Sequence, residues 1–226
     1  ACLDLGRRAA RSLGIPAVHT PHVFAWEWAG PSLAGRLYAW AERRAADWCE
    51  RLVLLSEAQR EAALRERIAP AERLAVIPNG IDADEFPPAT PAQKRRARAH
   101  FSVEGDAPVL GTAARLEPQK GMGDFLRAVA TLRTRLPGIQ VLIAGSGSLE
   151  ERYRVRARDL GLHGTVRFCG TVEHMPLFYQ ALDAFALASL WEGLPYVLLE
   201  AQAAGLPVAA TGTRGAAAVL EPDVSG

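Results

Sequence analysis

The segment Trp191-Glu192-Gly193-Leu194-Pro195-Tyr196-Val197-Leu198-Leu199-Glu200, continuing Ala201-Gln202-Ala203-Ala204-Gly205, sets the reading of the whole chain. Pro195 suits the first position of a helix, where no N–H is needed. Gly205 suits the residue just past its end, and Pro207 prevents continuation. The residues between are apolar nearly all round, which predicts a buried helix. That helix nevertheless carries Glu200. A buried carboxylate without a partner is costly and rare, so either a hidden Arg or Lys pairs with it or it faces a ligand cleft. Glu192 stands on the glycine-containing turn before the helix, beside free N–H groups that form a natural anion site. The plainer alternative is two unrelated glutamates, one a cap and one in an ion pair.

Apolar strands are expected at 184–188 before this helix and at 208–210 after it, which makes a βαβ unit. The same alternation runs upstream: strand 109–113, helix 121–135, strand 139–144, helix 149–160, strand 166–168 and a short helix 175–181. Near-continuous apolar strands separated by helices imply a parallel, doubly wound sheet. The first part alternates likewise. An amphipathic helix over 2–13, with Leu3 on its apolar side, ends at Gly14, and a strand follows at 15–20. A helix is expected over 31–50 from Pro31, with Leu33, Leu37 and Trp40 toward the core and a solvated face opposite. A strand over 51–56 leads to Ser56 as cap of helix 57–67, and a strand covers 74–78. From 84 to about 94 the composition shifts to Pro, Ala and Thr with no apolar period, so a linker is expected at 86–91. The fold class is α/β, with two Rossmann-like domains over 1–87 and 88–226.

Composition excludes several classes. A net charge of +1 gives no case for nucleic acid. Cys2, Cys49 and Cys169 lack CxxC spacing, which argues against a zinc site or disulfide framework and fits a reducing compartment. No apolar run approaches membrane-spanning length and no signal peptide is visible. Trp26, Trp28, Trp40 and Trp48 crowd one segment with several arginines, a pattern also met at membrane surfaces. Interleaved acids favour the core-helix reading. The chain starts without Met and stops at Val-Ser-Gly226, so it is expected to be an excerpt.

Three further stretches fall in strand-to-helix loops. Gly111-Thr-Ala-Ala-Arg115-Leu-Glu-Pro-Gln-Lys120-Gly121 sets two cations before a helix N-terminus, a combination suited to a diphosphate. Ala144-Gly145-Ser146-Gly147-Ser148-Leu149 lacks the last glycine of GxGxxG, so it argues for a tight turn near a ligand and not for a dinucleotide site. Phe168-Cys-Gly170-Thr171-Val172 ends a strand where its backbone can meet a nucleotide base. In the first part His22 follows a strand end, where open α/β sheets bind ligands, and His19 is its rival. Asp82-Ala-Asp84 spells a DxD but sits in a turn without a third ligand, so no metal is expected there.

Taken together with Ile77-Pro-Asn-Gly-Ile-Asp82, Ser189 and Gly205-Leu-Pro207, these motifs fall in an order that resembles the retaining glycosyltransferases of family 4. The resemblance implies two facing Rossmann-like domains of the GT-B type, both incomplete here, with the donor nucleotide-sugar on the C-terminal one and the acceptor on the other. Arg115 and Lys120 match the pair that binds the donor diphosphate. Glu192 matches the residue by the transferred sugar, Glu200 the ribose ligand, and His22 the N-domain histidine of the sugar site. Gly193 and Leu194 would offer N–H groups to the sugar, with Gly145, Thr171 and Val172 around the nucleotide. Expected is metal-independent transfer, with no cofactor, from a UDP- or GDP-sugar to a glycan, lipid or small-molecule acceptor. The setting is cytoplasmic, with contact at the inner face of a membrane left open. The rivals are a non-catalytic sugar-nucleotide binder and an epimerase or phosphorylase of the same architecture.

Overall fold

The computed structural model of the chain describes residues 2–221. The side chains of Cys2, Leu3 and Trp28, named above, lie outside the described residues, as does the stretch 222–226. The chain forms two compact units, one of Ala1–Asn79 with Trp191–Leu194, the other of Gly80–Leu190 with Pro195–Gly226.

The first unit runs α1 (Cys2–Ser12), β1 (Val18–His19), α2 (Ala25–Ala29), α3 (Leu33–Ala46), β2 (Arg51–Leu54), α4 (Glu57–Arg65) and β3 (Leu74–Val76). The sheet is parallel in the order β1-β2-β3, with Val18 opposite Arg51 and Leu52 opposite Leu74. Leu52 and Leu54 of the central strand are fully buried with Phe24, Ala46, Ala63 and Ile68. β1 is shorter than expected because Pro16 has no N–H for a ladder.

The expected helix 31–50 is corrected in two ways. Its start is Leu33, because the Ser32 hydroxyl can accept the Gly35 N–H (3.1 Å) where Pro31 has no capping group. Its buried face is Gly35, Ala39, Ala45 and Ala46. Leu33, Leu37 and Trp40 are 83%, 59% and 56% exposed instead. The helix lies so close to the preceding backbone that a Cβ on Gly35 would stand 2.1 Å from the Gly30 carbonyl oxygen. Only small side chains fit such a face.

The second unit runs α5 (Pro91–His100), β4 (Val109–Ala113), α6 (Met122–Arg135), β5 (Gln140–Ala144), α7 (Glu150–Asp159), β6 (Val166–Gly170), α8 (Met175–Gln180), β7 (Ala184–Leu187), α9 (Tyr196–Ala203), β8 (Val208–Ala210) and α10 (Arg214–Ala217). Its sheet is parallel in the order β6-β5-β4-β7-β8. Alternate residues of β5 enter two separate cores, as the period of two requires. Leu142 and Ala144 join Phe178, Tyr179, Leu198 and Ala201, while Val141 and Ile143 join Met122, Leu126, Val129 and Tyr153. Helices therefore cover both faces, the doubly wound arrangement expected. The chain builds outward from β4 to β6 and then returns to β7 beside β4. In sheets of this order the general rule places a crevice at the carboxyl ends of the strands where the order reverses, here β4 and β7.

Helix α5 lies where the sequence reads as the end of a linker. A capping box starts it: the Thr90 hydroxyl accepts from the Gln93 N–H at 3.3 Å, and Gln93 Oε1 accepts from the Thr90 N–H at 2.9 Å. Ala97 is its buried residue, so no apolar period marks it. Asp183 anchors it, accepting from Lys94 Nζ at 2.5 Å, Arg98 Nη2 at 2.6 Å and the Val109 N–H at 2.7 Å. In α9 Pro195 is the cap and not the first helical residue, and Tyr196 is 45% exposed while Leu198 and Ala201 face the core. The helix is therefore buried along one side and not all round.

Candidate active site

The loop after β4 carries Arg115, exposed, and Lys120, half-buried at the end of a 3-10 turn over Pro118–Lys120. Gly121 follows in the left-handed region (φ 59°) as the cap of α6. Only glycine serves there, because an added Cβ would stand 1.9 Å from the Ala188 carbonyl oxygen in the loop after β7. The Leu190 N–H also donates to the Gln119 carbonyl at 2.8 Å. The loops after β4 and β7 are thus in backbone contact at the crevice set by the strand order.

The loop after β5 is joined to the same loop. Gly145 (φ 120°) leaves no room for a Cβ, which would meet the Ala114 carbonyl oxygen at 2.0 Å. The Leu116 N–H donates to the Ser146 carbonyl at 2.9 Å, and the Leu149 N–H to the Leu116 carbonyl at 3.1 Å. Glu117 accepts from the Ser148 N–H at 2.9 Å and its hydroxyl at 2.8 Å. Those hydrogen bonds, with the Arg115 charge, hold its carboxyl below the usual carboxylate range. The partial glycine motif therefore serves close backbone packing between two loops. Ser146 Oγ and Thr171 Oγ1 share a hydrogen bond at 3.0 Å, which adds the loop after β6, where Val172 packs on the core. Arg115, Lys120, Gly145, Thr171 and Val172 thus lie on three interlocked loops at one edge of the sheet.

Glu200 is half-buried on α9. The hydrogen bond to its side chain comes from neither Arg nor Lys. The Tyr179 hydroxyl donates to Oε2 at 2.7 Å and lies 3.3 Å from the Val197 carbonyl oxygen. Burial first, then the Glu200 charge and hydrogen bond, push the Tyr179 hydroxyl far above the ordinary phenol range, so it stays a neutral donor.

In the first unit the two histidines separate. His19 is buried with Nε2 3.7 Å from Glu42 Oε1, which also takes Arg7 Nη1 at 2.8 Å. His22 is exposed on the loop that follows β1. Buried Gln59 fixes that loop, donating to the Pro21 carbonyl at 2.9 Å while accepting from the Leu55 N–H at 2.7 Å. Asn79 Nδ2 donates to the Leu194 carbonyl at 3.1 Å. A Cβ on Gly193 would stand 1.6 Å from the His22 carbonyl oxygen, so the turn bearing Glu192 packs directly on the His22 backbone. Gly193 and Leu194 lie just ahead of the α9 cap. Asp82 accepts from the Asp84 N–H at 3.1 Å, the work of a turn. Among the described residues no three His, Cys, Asp or Glu side chains are grouped as a metal ion would need.

Residues 93–226 match the family model described as Glycosyl transferases group 1, and residues 4–80 match that of a Glycosyl transferase 4-like domain. The chain belongs to the group 1 glycosyltransferases. It is 31% identical over 227 residues to the UDP-Gal:alpha-D-GlcNAc-diphosphoundecaprenol alpha-1,3-galactosyltransferase of Escherichia coli, covering 98% of this chain and 58% of that one. It is 33% identical over 235 residues to the D-inositol 3-phosphate glycosyltransferase of Mycolicibacterium smegmatis, covering 99% and 52%. The chain thus spans little more than half the length of these relatives. Among solved structures, Anabaena HepE in complex with UDP and glucose superposes with a TM-score of 0.84 at 24% identity, over 97% of this chain and 59% of that one. That likeness shows the GT-B fold.

Within this family member, Tyr179, Glu117 and Ser148 in the second unit and Gln59 and Asn79 in the first make contacts to which sequence reasoning gave no individual role. Each acts across loops or elements through a partner 18 or more residues distant, as in Tyr179 with Glu200 and Gln59 with Pro21. No local pattern signals such a pairing.

Proposed function

We propose that the protein carrying this chain is a retaining glycosyltransferase that moves a sugar from a UDP- or GDP-sugar to a glycan, lipid or small-molecule acceptor. The observation that carries this reading is the backbone contact between the cation-bearing loop after β4 and the loop after β7 that leads to Glu192 and Glu200, in a chain of this family. Residues 88–226 are the donor side and 1–87 the acceptor side. Arg115 and Lys120 bind the diphosphate and take up the charge that grows on it as the glycosidic bond breaks, without a metal ion. Glu200 accepts from the ribose, and Thr171, Val172 and Gly145 border the nucleotide. Glu192, with the Gly193 and Leu194 N–H groups and His22, orients the sugar. No side chain is assigned as nucleophile. Transfer is front-face with the leaving phosphate assisting, so the protein's part is positioning and electrostatics.

Peripheral contact with the inner face of a membrane belongs to the same reading. Leu33, Leu37 and Trp40 form an exposed stripe on α3 beside exposed Arg36 and Arg44, a composition suited to an interface. The Escherichia coli relative is named for an acceptor on diphosphoundecaprenol. Among the described residues no helix is long and apolar enough to cross a membrane.

The test is turnover of UDP- and GDP-sugars by the full-length protein with a panel of acceptors, in EDTA, followed by NMR of the product anomer. Retained anomeric configuration without metal is expected. An inverted product, or activity restored only by manganese, overturns the reading.

A further inference from the structure

Among the described residues a hydroxyl and not a cation hydrogen-bonds Glu200, and the difference matters chemically. An Arg or Lys would neutralise the carboxylate. A tyrosine occupies one of about four acceptor sites and leaves the charge in place, ready for charge-assisted hydrogen bonds to a ligand. Tyr179 is also held unusually well. It is 1% exposed, and its ring meets Phe86 and Phe178 edge-on at 5.9 and 5.8 Å and Phe185 at 5.6 Å. Three aromatic neighbours pack around the buried ring and so restrain its hydroxyl. That hydroxyl also lies 3.3 Å from the Val197 carbonyl oxygen in the first turn of α9. Its single proton goes to the nearer acceptor, Glu200 Oε2.

We propose that Tyr179 is a positioning residue of the donor site: its hydroxyl holds the Glu200 carboxylate through Oε2, so that the remaining acceptor sites, those of Oε1 above all, take the ribose hydroxyls of a nucleoside diphosphate. This rests on the reading of Glu200 as the ribose ligand. A carboxylate fixed before binding loses less side-chain freedom when the ligand arrives, which raises affinity without a new contact.

The experiment is calorimetry on the full-length protein with whichever of UDP and GDP binds more tightly, its 2′,3′-dideoxy analogue, and inorganic pyrophosphate. The readout is the ratio of ribo to dideoxy affinity. Wild type prefers the ribo form by about 10-fold or more, the scale of hydrogen bonds to a charged group. Tyr179→Phe lowers that ratio about 3- to 10-fold and leaves pyrophosphate affinity unchanged. Adding Tyr179→Phe to Glu200→Gln changes the ratio less than about twofold, because the two act as one unit. If Tyr179→Phe does not fold, p-methylphenylalanine at position 179 fills the same space without a donor and lowers the ratio. p-Aminophenylalanine there restores an N–H donor and keeps it. If Glu200→Gln leaves the ratio intact, the ribose reading itself fails. If Glu200→Gln collapses the ratio and the non-donor variants at 179 do not, the positioning role alone is overturned. Equal losses for pyrophosphate and nucleotide also overturn it, since they mark a purely structural tyrosine.

Discussion

Glu117 takes two hydrogen bonds from Ser148, one from its N–H at 2.9 Å and one from its hydroxyl at 2.8 Å, and so clamps the loop after β4 to the loop after β5. The clamp lies between Arg115 and Lys120 in the chain, on the loop assigned to the donor diphosphate. Glu117→Ala is expected to free that loop and weaken nucleoside diphosphate binding by about 3- to 10-fold, with little change in melting temperature because the pair lies at the surface. Titration calorimetry on the full-length protein measures it. Unchanged affinity would mean that the loop is held without the clamp.

Arg115→Ala and Lys120→Ala should each weaken nucleoside diphosphate binding by about 10- to 150-fold, the worth of one hydrogen bond between charged groups. Binding of the bare nucleoside should barely change. Calorimetry with both ligands decides. Equal losses for the two would show that the cations support the fold and do not meet the diphosphate.

Two glycines with one residue between them should respond oppositely to alanine. At Gly121 the methyl would strike the Ala188 carbonyl from a left-handed backbone, so Gly121→Ala should cost about 2–4 kcal/mol and force the β4 and β7 loops apart. At Gly123, in the first turn of α6, nothing lies within 4 Å of an added Cβ. Gly123→Ala should be neutral or stabilise by up to about 1 kcal/mol through helix propensity. Denaturant unfolding of both variants tests the contrast.

Asp183 supplies a pH dependence. Burial pushes its carboxyl up, but hydrogen bonds from Lys94 and the Val109 N–H and the charges of Lys94 and Arg98 outweigh it and hold the carboxyl below its ordinary value of 3.8. A depressed native value means stability that is fully present above the unfolded value and lost as pH falls through the native one. Asp183→Asn should therefore lower stability by about 1–2 kcal/mol at neutral pH. The melting gap to wild type should then close below the ordinary value of 3.8, where wild type becomes protonated too. A gap that persists in acid would assign the loss to packing.

If Glu192 has the role proposed above, Glu192→Gln should lower turnover by the full-length protein by about 10²-fold or more while donor affinity changes little, the effect of removing one preorganised charge. Steady-state kinetics with the melting temperature as control measures it. Intact turnover would favour a protein that binds sugar nucleotides without transferring them.

Local pattern was enough to read the alternation of strands and helices in the second unit, because each element is written in a short stretch: apolar runs for buried parallel strands, glycine and proline at the ends of helices. It also marked the loop after each strand as the place for Arg115, Lys120, Gly145, Thr171 and Glu192. The Thr90–Gln93 capping box was equally local, yet α5 went unread because a helix that buries Ala97 alone has no apolar period. Periodicity likewise showed that Leu33, Leu37 and Trp40 share a face of α3 and still assigned that face wrongly to the core. A period says which residues stand together and not which side meets a neighbour. That was settled by how closely the α3 backbone approaches Gly30, a distance that admits glycine and alanine and excludes leucine.

The partner of Glu200 was decided by tertiary structure alone. The sequence requires that a helix apolar nearly all round either pair its carboxylate or expose it to a cleft, and it cannot say with what. Tyr179 stands 21 positions earlier, on another helix, and reaches Glu200 only because β7 returns to lie beside β4 and brings α8 and α9 together on one face of the sheet. Strand order is a property of the whole sheet and has no local code. The amino-acid sequence thus determined the chemistry present at each loop, and the order of the strands determined which of those groups meet.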